Sequence, residues 1–232
     1  MPRIALLVLP VAFLGVCAVH AQESAPLERT PAAVMTFHGA DWLERPTREE
    51  EERPDDVIRE MGLKEGDVAV DMGCGTGYFA RRMAKAVGAT GKVYGVDIQP
   101  EMLDYLREFC KKEGLTNVEP VLGGEVDPKL PPNSIDWMIL VDVYHEFQQP
   151  APMLAKMREA LKPGGRIALI EYRMLGDTAK HIKTEHRMSV KQVLAEWNPA
   201  GFELVDLIEF LPAQHFFIFQ KRPDRGESGG KS

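Results

Sequence analysis

Asp71, Gly73, Gly75 and Gly77 alternate with other residues in the run Val68-Ala69-Val70-Asp71-Met72-Gly73-Cys74-Gly75-Thr76-Gly77-Tyr78-Phe79. An apolar strand, an acid at its end, three glycines and a helix start make a layout that holds a ligand against backbone. Glycine has no Cβ, so the chain can turn tightly and lie directly on a ligand. The helix beyond offers free N–H groups and the positive end of its dipole. Asp71 sets a carboxylate where a pyrophosphate is repelled and an ammonium or sulfonium group is attracted.

A second apolar strand, Lys92-Val93-Tyr94-Gly95-Val96-Asp97-Ile98, also ends in an acid. Asp97 follows Gly77 by twenty residues, the length of one helix plus one strand. A carboxylate there is placed to accept both hydroxyls of a ribose. Capping the helix that starts at Pro100 is its alternative role. The stretch Gly75-Thr76-Gly77-Tyr78-Phe79-Ala80 also fits G-x-G-x-x-A, the nicotinamide or flavin fingerprint. Asp71 and the strand pair that closes the chain oppose that rival.

The D-x-G-x-G-x-G pattern resembles the first motif of the class I S-adenosylmethionine (SAM) methyltransferases, and the likeness covers residues 37–221. The resemblance implies an α/β fold with a Rossmann-like seven-stranded sheet and helices on both faces. The sheet is mostly parallel with one antiparallel strand, in the order 3-2-1-4-5-7-6. SAM is the implied cofactor, with Asp71, Gly73, Gly75, Gly77, Asp97, Ile98, Glu125 and Asp142 around it. The implied reaction is methyl transfer to a small molecule, as in quinone-biosynthesis methyltransferases. The family sets Asp142-Val143-Tyr144-His145-Glu146-Phe147 beside the transferred methyl. This segment lacks the N/D-P-P-Y/F of enzymes that methylate amino groups of bases or glutamine.

His145 is then a candidate general base, a role worth ~10²–10⁴-fold. A helix-capping imidazole is its other reading. Tyr144 is a second catalytic candidate or a pocket wall, and Tyr172 and His186 are candidates for the substrate side. His181, Glu185 and His186 suggest a metal, but H-x4-H matches no zinc spacing, so no metal is expected. Methyl transfer from a sulfonium is an in-line displacement. Orientation alone can supply ~7–11 kcal/mol of its barrier, so it does not require a base.

The elements that must position these residues alternate along the chain. Strands are predicted at 67–72, 92–98, 118–122, 135–142 and 166–173, and helices at 77–87, 100–113, 150–162 and 189–197. Trp137-Met138-Ile139-Leu140-Val141 is apolar throughout, as in a strand covered on both faces. Ser189 and Gln192 form a capping box. Two final strands, Phe202 to Leu211 and His215 to Gln220, are joined too closely for a helix, so they pair antiparallel. A leading helix is predicted over 47–61, with Pro54 breaking or restarting it.

The chain has 232 residues and a net charge of -7, with no basic run, which argues against nucleic-acid binding through phosphates. Two cysteines beyond the N-terminal segment, Cys74 and Cys110, make no disulfide framework. Arg3, the apolar stretch from Ile4 to Val16, and Val19-His20-Ala21 have the layout of a secretory signal peptide. Residues 1–21 are therefore expected to direct export and to be removed, leaving no stable membrane insertion. An uncleaved membrane anchor is the alternative. Residues 22–36 read as a flexible linker and 222–232 as a disordered tail. SAM is made in the cytoplasm, so export keeps open a second class: a non-catalytic binding protein of the same fold.

Overall fold

A computed structural model describes residues 29–176 and 181–223. In chain order the elements are α1 (Ala40–Leu43), α2 (Arg48–Glu52), α3 (Pro54–Met61), β1 (Val68–Met72), α4 (Tyr78–Val87), β2 (Lys92–Asp97), α5 (Pro100–Glu113), β3 (Val118–Leu122) and β4 (Ile135–Val141). Then follow α6 (Pro150–Ala160), β5 (Leu161–Arg173), β6 (Arg187–Met188), α7 (Val190–Trp197), β7 (Phe202–Ile208) and β8 (Gln214–Lys221). The sheet runs β3-β2-β1-β4-β5-β8-β7. Strands β1 to β5 pair in parallel, and β8 runs antiparallel to both β5 and β7. The expected order is therefore present. The addition is β6, two residues that pair parallel with β5 at Tyr172 and Arg173. A strand so short leaves no periodic signal in a sequence.

Alternate strand residues feed two cores. Ala69, Ile139, Ala168 and Phe216 pack under α3, α4 and α5 on one face. Val70, Met138, Leu169 and Phe217 pack under α6 and α7 on the other. Both faces are covered, which is why the central strands are apolar throughout. Pro100 starts α5 and Gly114, at φ +68°, ends it. At α7, Ser189 Oγ accepts from the Gln192 N–H at 3.1 Å, while Gln192 Nε2 donates to Glu196.

The helix predicted over 47–61 breaks and restarts at Pro54, giving α2 and α3. Arg53 takes a left-handed conformation at φ +45° between them. The stretch read as a linker differs. Over residues 29–36 it is extended chain bound to the folded domain. Arg29 donates to the carbonyls of His145 (2.9 Å), Tyr144 (3.2 Å) and Phe147 (3.3 Å), and pairs with Glu196 at 3.0 Å. Ala32 is buried, and its N–H meets the His145 carbonyl at 3.0 Å. Composition suggested mobility here, but one guanidinium with four partners overrides it. At the other end, the Arg222 N–H bonds to Gly201 O. Residues 1–21, read above as a signal peptide, residues 22–28 and the tail beyond 223 lie outside the described residues.

Trp197 is fully buried, its ring stacked on Phe219 at 4.5 Å, and its indole N–H has no partner among the described residues. Trp197→Ala is expected to cost about 3–5 kcal/mol in chemical denaturation. Trp197→Phe keeps the stacking and removes the unpaired donor, so it is expected to cost under about half as much. Equal losses for the two variants would contradict this account.

Candidate ligand site at the carboxyl ends of the strands

The loop after β1 is fixed by two carboxylates. Asp71 Oδ2 accepts the Ala80 N–H at 2.8 Å, which ties the strand end to the first turn of α4. Asp97 Oδ2 accepts the Gly75 N–H and Oδ1 accepts the Gln99 N–H, each at 2.9 Å. Asp97 thus clamps the glycine loop and holds Gln99, the residue ahead of α5, without itself capping that helix. Each of its oxygens retains a second acceptor site.

Gly73, Gly75 and Gly77 all have positive φ, at 65°, 51° and 85°. Each also admits one apolar side chain. A Cβ on Gly73 would strike Val143, one on Gly75 would lie 2.6 Å from Leu43 Cδ1, and one on Gly77 would strike Leu106. Gly73 and Gly75 line the adjoining cavity, whereas Gly77 caps α4 and faces the core. Leu43, not only a ligand, closes over Gly75.

That cavity has a volume of about 1140 Å³ out to its open mouth. Its lining includes Asp71, Asp97, Ile98, Glu125, Asp142 and Glu146, with Arg48 as its guanidinium. Arg48 is already engaged by Glu52 at 2.8 Å and by Leu43 O at 2.8 Å. Burial pushes the Asp71 and Glu146 carboxyls up to about 7, raises Asp97, and raises Asp142 well above the usual range. Asp142 also carries backbone strain at φ +50°. Its Oδ2 accepts from Gln214 Nε2 at 3.1 Å, and its buried Oδ1 has no partner among the described residues. Four acids around one concavity, Asp71 and Asp97 buried and Asp142 and Glu146 half-buried, make a site that favours cations.

Of the segment after β4, Asp142, Val143, Glu146 and Phe147 line the cavity, whereas Tyr144 and His145 do not. Residues Tyr144–Glu146 form a 3₁₀ turn, which sends successive side chains in different directions. Val143 and Glu146 line the cavity. Tyr144 is instead fully buried against Trp197 and Phe147, its hydroxyl donating to Glu196 at 2.6 Å. His145 turns the other way. Its Nδ1 meets Glu171 Oε2 at 2.6 Å and its Nε2 meets His186 Nδ1 at 3.0 Å. Burial lowers the basicity of His145, but Glu171 outweighs it and holds the imidazole above its usual range. His145 lines a neighbouring cavity with Arg29, Glu185 and Arg187. Tyr172 is buried beside Asp142 and does not line the main cavity. His181 is exposed.

The sequence reading did not single out Glu146, Glu171, Arg48 or the Val34–Met35 stretch. A signal for Glu171 was present, because it ends β5 as Asp71 and Asp97 end β1 and β2. The extended chain carrying Val34 and Met35 had none.

A family described as "Methyltransferase domain" matches residues 63–209. Demethylmenaquinone methyltransferases are similar: that of Geobacillus kaustophilus is 33% identical over 117 residues, which is 50% of each chain. That of Geobacillus stearothermophilus is 34% identical over 116 residues, again 50% of each. The chain thus spans about half the length of these curated relatives. A SAM-dependent methyltransferase structure from Aquifex aeolicus superposes with a TM-score of 0.76 at 29% identity, over 81% of this chain and 99% of that one. A type 11 methyltransferase structure from Sulfolobus solfataricus, at 20% identity and a TM-score of 0.58 over 79% and 98%, shares the fold.

The raised Asp71 carboxyl sets a stability trend. An unfolded Asp titrates near ~3.9, whereas folded Asp71 titrates at about 7. Between these values the folded chain holds a proton that the unfolded chain has released, so stability falls as pH rises from 4 to 7. Asp71→Asn keeps an acceptor for the Ala80 N–H and removes the titration. Without added ligand, the variant is expected to melt several degrees above the wild type at pH 8 and to lose most of that advantage at pH 4. Parallel melting-temperature curves for the two proteins would overturn the assignment.

Proposed function

The chain belongs to the methyltransferase-domain family, and from that premise we propose that it transfers a methyl group from SAM to a small-molecule acceptor. The observation that carries this reading is the set of buried and half-buried acids lining the main cavity, Asp71, Asp97, Asp142 and Glu146. When bound, SAM supplies an electrophilic methyl on a sulfonium and carries a separate ammonium. A cavity whose one lining guanidinium is already paired suits those charges. It does not suit the pyrophosphate of a nicotinamide dinucleotide, the rival of the glycine fingerprint.

The residues fit the group in detail. Asp97 has acceptor sites left for two ribose hydroxyls beyond the N–H groups it already holds. The unpartnered Asp142 Oδ1 offers an acceptor to the ammonium. Ile98 and Glu125 also line the cavity and would offer one apolar and one polar side chain to the purine. Gly73 and Gly75 allow backbone to form part of the wall. After β4, Val143 and Glu146 reach the cavity beside Asp142, and apolar Phe147 and Met153 continue that wall. This surface suits a flat, largely apolar acceptor, for which we take the reduced quinone class of the named relatives as the first to test. Tyr144 and His145 stand behind this wall, so catalysis rests on orientation rather than on a base at His145. Tyr172 and His186 do not line the cavity.

The acceptor is a small molecule rather than nucleic acid, in keeping with the acidic charge. We also infer export, on the N-terminal sequence alone. No helix among the described residues is long and apolar enough to cross a membrane. Mass spectrometry of the envelope fraction of the native host is expected to find a chain starting at Gln22; intact Met1 in the cytosol would remove the export claim.

Calorimetry is expected to show binding of SAM and S-adenosylhomocysteine but not of NADH. Asp97→Asn keeps one acceptor for the glycine loop and is expected to weaken SAM at least tenfold, because hydrogen bonds to a charged group are worth ~1.5–3 kcal/mol. Unchanged affinity in the folded variant sinks the ribose assignment. Label from methyl-labelled SAM is expected in a reduced quinone. Tight SAM binding with no transfer to any acceptor would instead make the chain a binding protein.

A further inference from the structure

The cluster formed by His145, Glu146 and His186 shares only Glu146 with the site assigned above. One ligand atom from each lies within 4.8 Å of the others. The three come from two distant segments, the turn after β4 and the 3₁₀ turn Thr184–His186 ahead of β6. We propose that these three side chains form a binding site for a divalent transition metal, zinc being the fitting ion.

The geometry has the parts such a site needs. His145 Nε2 and His186 Nδ1 approach to 3.0 Å. Two imidazoles on one tetrahedral zinc, at ~2.0–2.1 Å each, stand about 3.3 Å apart. The rings meet at 75°, so they approach through their nitrogens and not by stacking. Glu146 adds a carboxylate: its Oε1 accepts the Met35 N–H at 3.2 Å, which leaves the other oxygen to bind. Two nitrogens and one oxygen suit zinc and its neighbours in the first transition row.

Glu171 completes the arrangement. It is fully buried and holds His145 Nδ1 at 2.6 Å, so Nε2 is the lone-pair nitrogen directed at the cluster. The same carboxylate accepts the Tyr144 N–H at 2.8 Å, which fixes the turn carrying both ligands. A carboxylate behind a ligating histidine is the usual way in which metal-bound imidazoles are oriented. Three protein ligands leave a position open, as zinc sites that act on a bound oxygen do. Glu146 lines the main cavity and His145 the neighbouring one, so the ion stands in the wall between them. The site does not depend on methyl transfer being the activity.

The competing account is a hydrogen bond from His186 Nδ1–H to His145 Nε2, with no ion. Equilibrium dialysis of the full chain against zinc, with bound metal measured by mass spectrometry, separates the two. The wild type is expected to hold one zinc per chain. His186→Ala, in a partly exposed turn, and Glu146→Gln are each expected to weaken binding at least tenfold, with folding checked by circular dichroism. His181→Ala, an exposed histidine of the same loop, is expected to bind as the wild type does. No stoichiometric zinc in the wild type overturns the proposal. So does zinc that survives both variants, or zinc that is lost equally with His181.

Discussion

Carboxylates that accept backbone N–H groups hold the site together. Asp71 draws in the first turn of α4, and Asp97 draws in both the glycine loop and the start of α5. Each bond joins the end of a parallel strand to the segment that must turn over it. The loop therefore keeps its position without contributing side chains, and the cavity floor is backbone and small residues. The same bonds bring negative charge into a poorly hydrated place. Burial then raises these carboxyls, and Asp142 and Glu146 add to the imbalance. A cationic ligand relieves this strain, so the interaction that shapes the loop also selects what it binds.

The glycines extend the same logic. Val143, Leu43 and Leu106 each fill the space a Cβ would take at Gly73, Gly75 and Gly77. The loop is thus packed by three separate parts of the chain: the segment after β4, the end of α1 and the middle of α5. A side chain added at any of the three displaces a neighbour as well as straining a positive φ. Loss of ligand binding and loss of stability are coupled at these positions.

Much of this was legible in the sequence, for a physical reason. Strands β1, β2 and β4 are short, largely apolar runs between glycine, proline and acid signals, and those local signals dictate local structure. The acid at the end of β1 and that at the end of β2 were readable because spacing along one βαβ unit fixes where they lie. The 3₁₀ turn at Tyr144–Glu146 was not readable in this way. Which of three consecutive side chains enters a cavity depends on one turn of backbone, and here it is Glu146 rather than His145 or Tyr144. The partnership of His145 with His186 and Glu171 joins positions far apart in the chain. Composition also misled at residues 29–36, where Arg29 holds several backbone carbonyls at once.

The position of Arg29 also gives the molecule a polarity of attachment. The chain enters the fold at the carboxyl ends of the parallel strands, beside the mouth of the site. It leaves at the opposite rim, because β8 runs antiparallel to β5 and brings Lys221 back to Leu161 at the start of that strand. A surface, bead or fusion partner joined directly at Arg29 sits on the side where ligands arrive. One joined downstream of Arg222 leaves that side facing free solution.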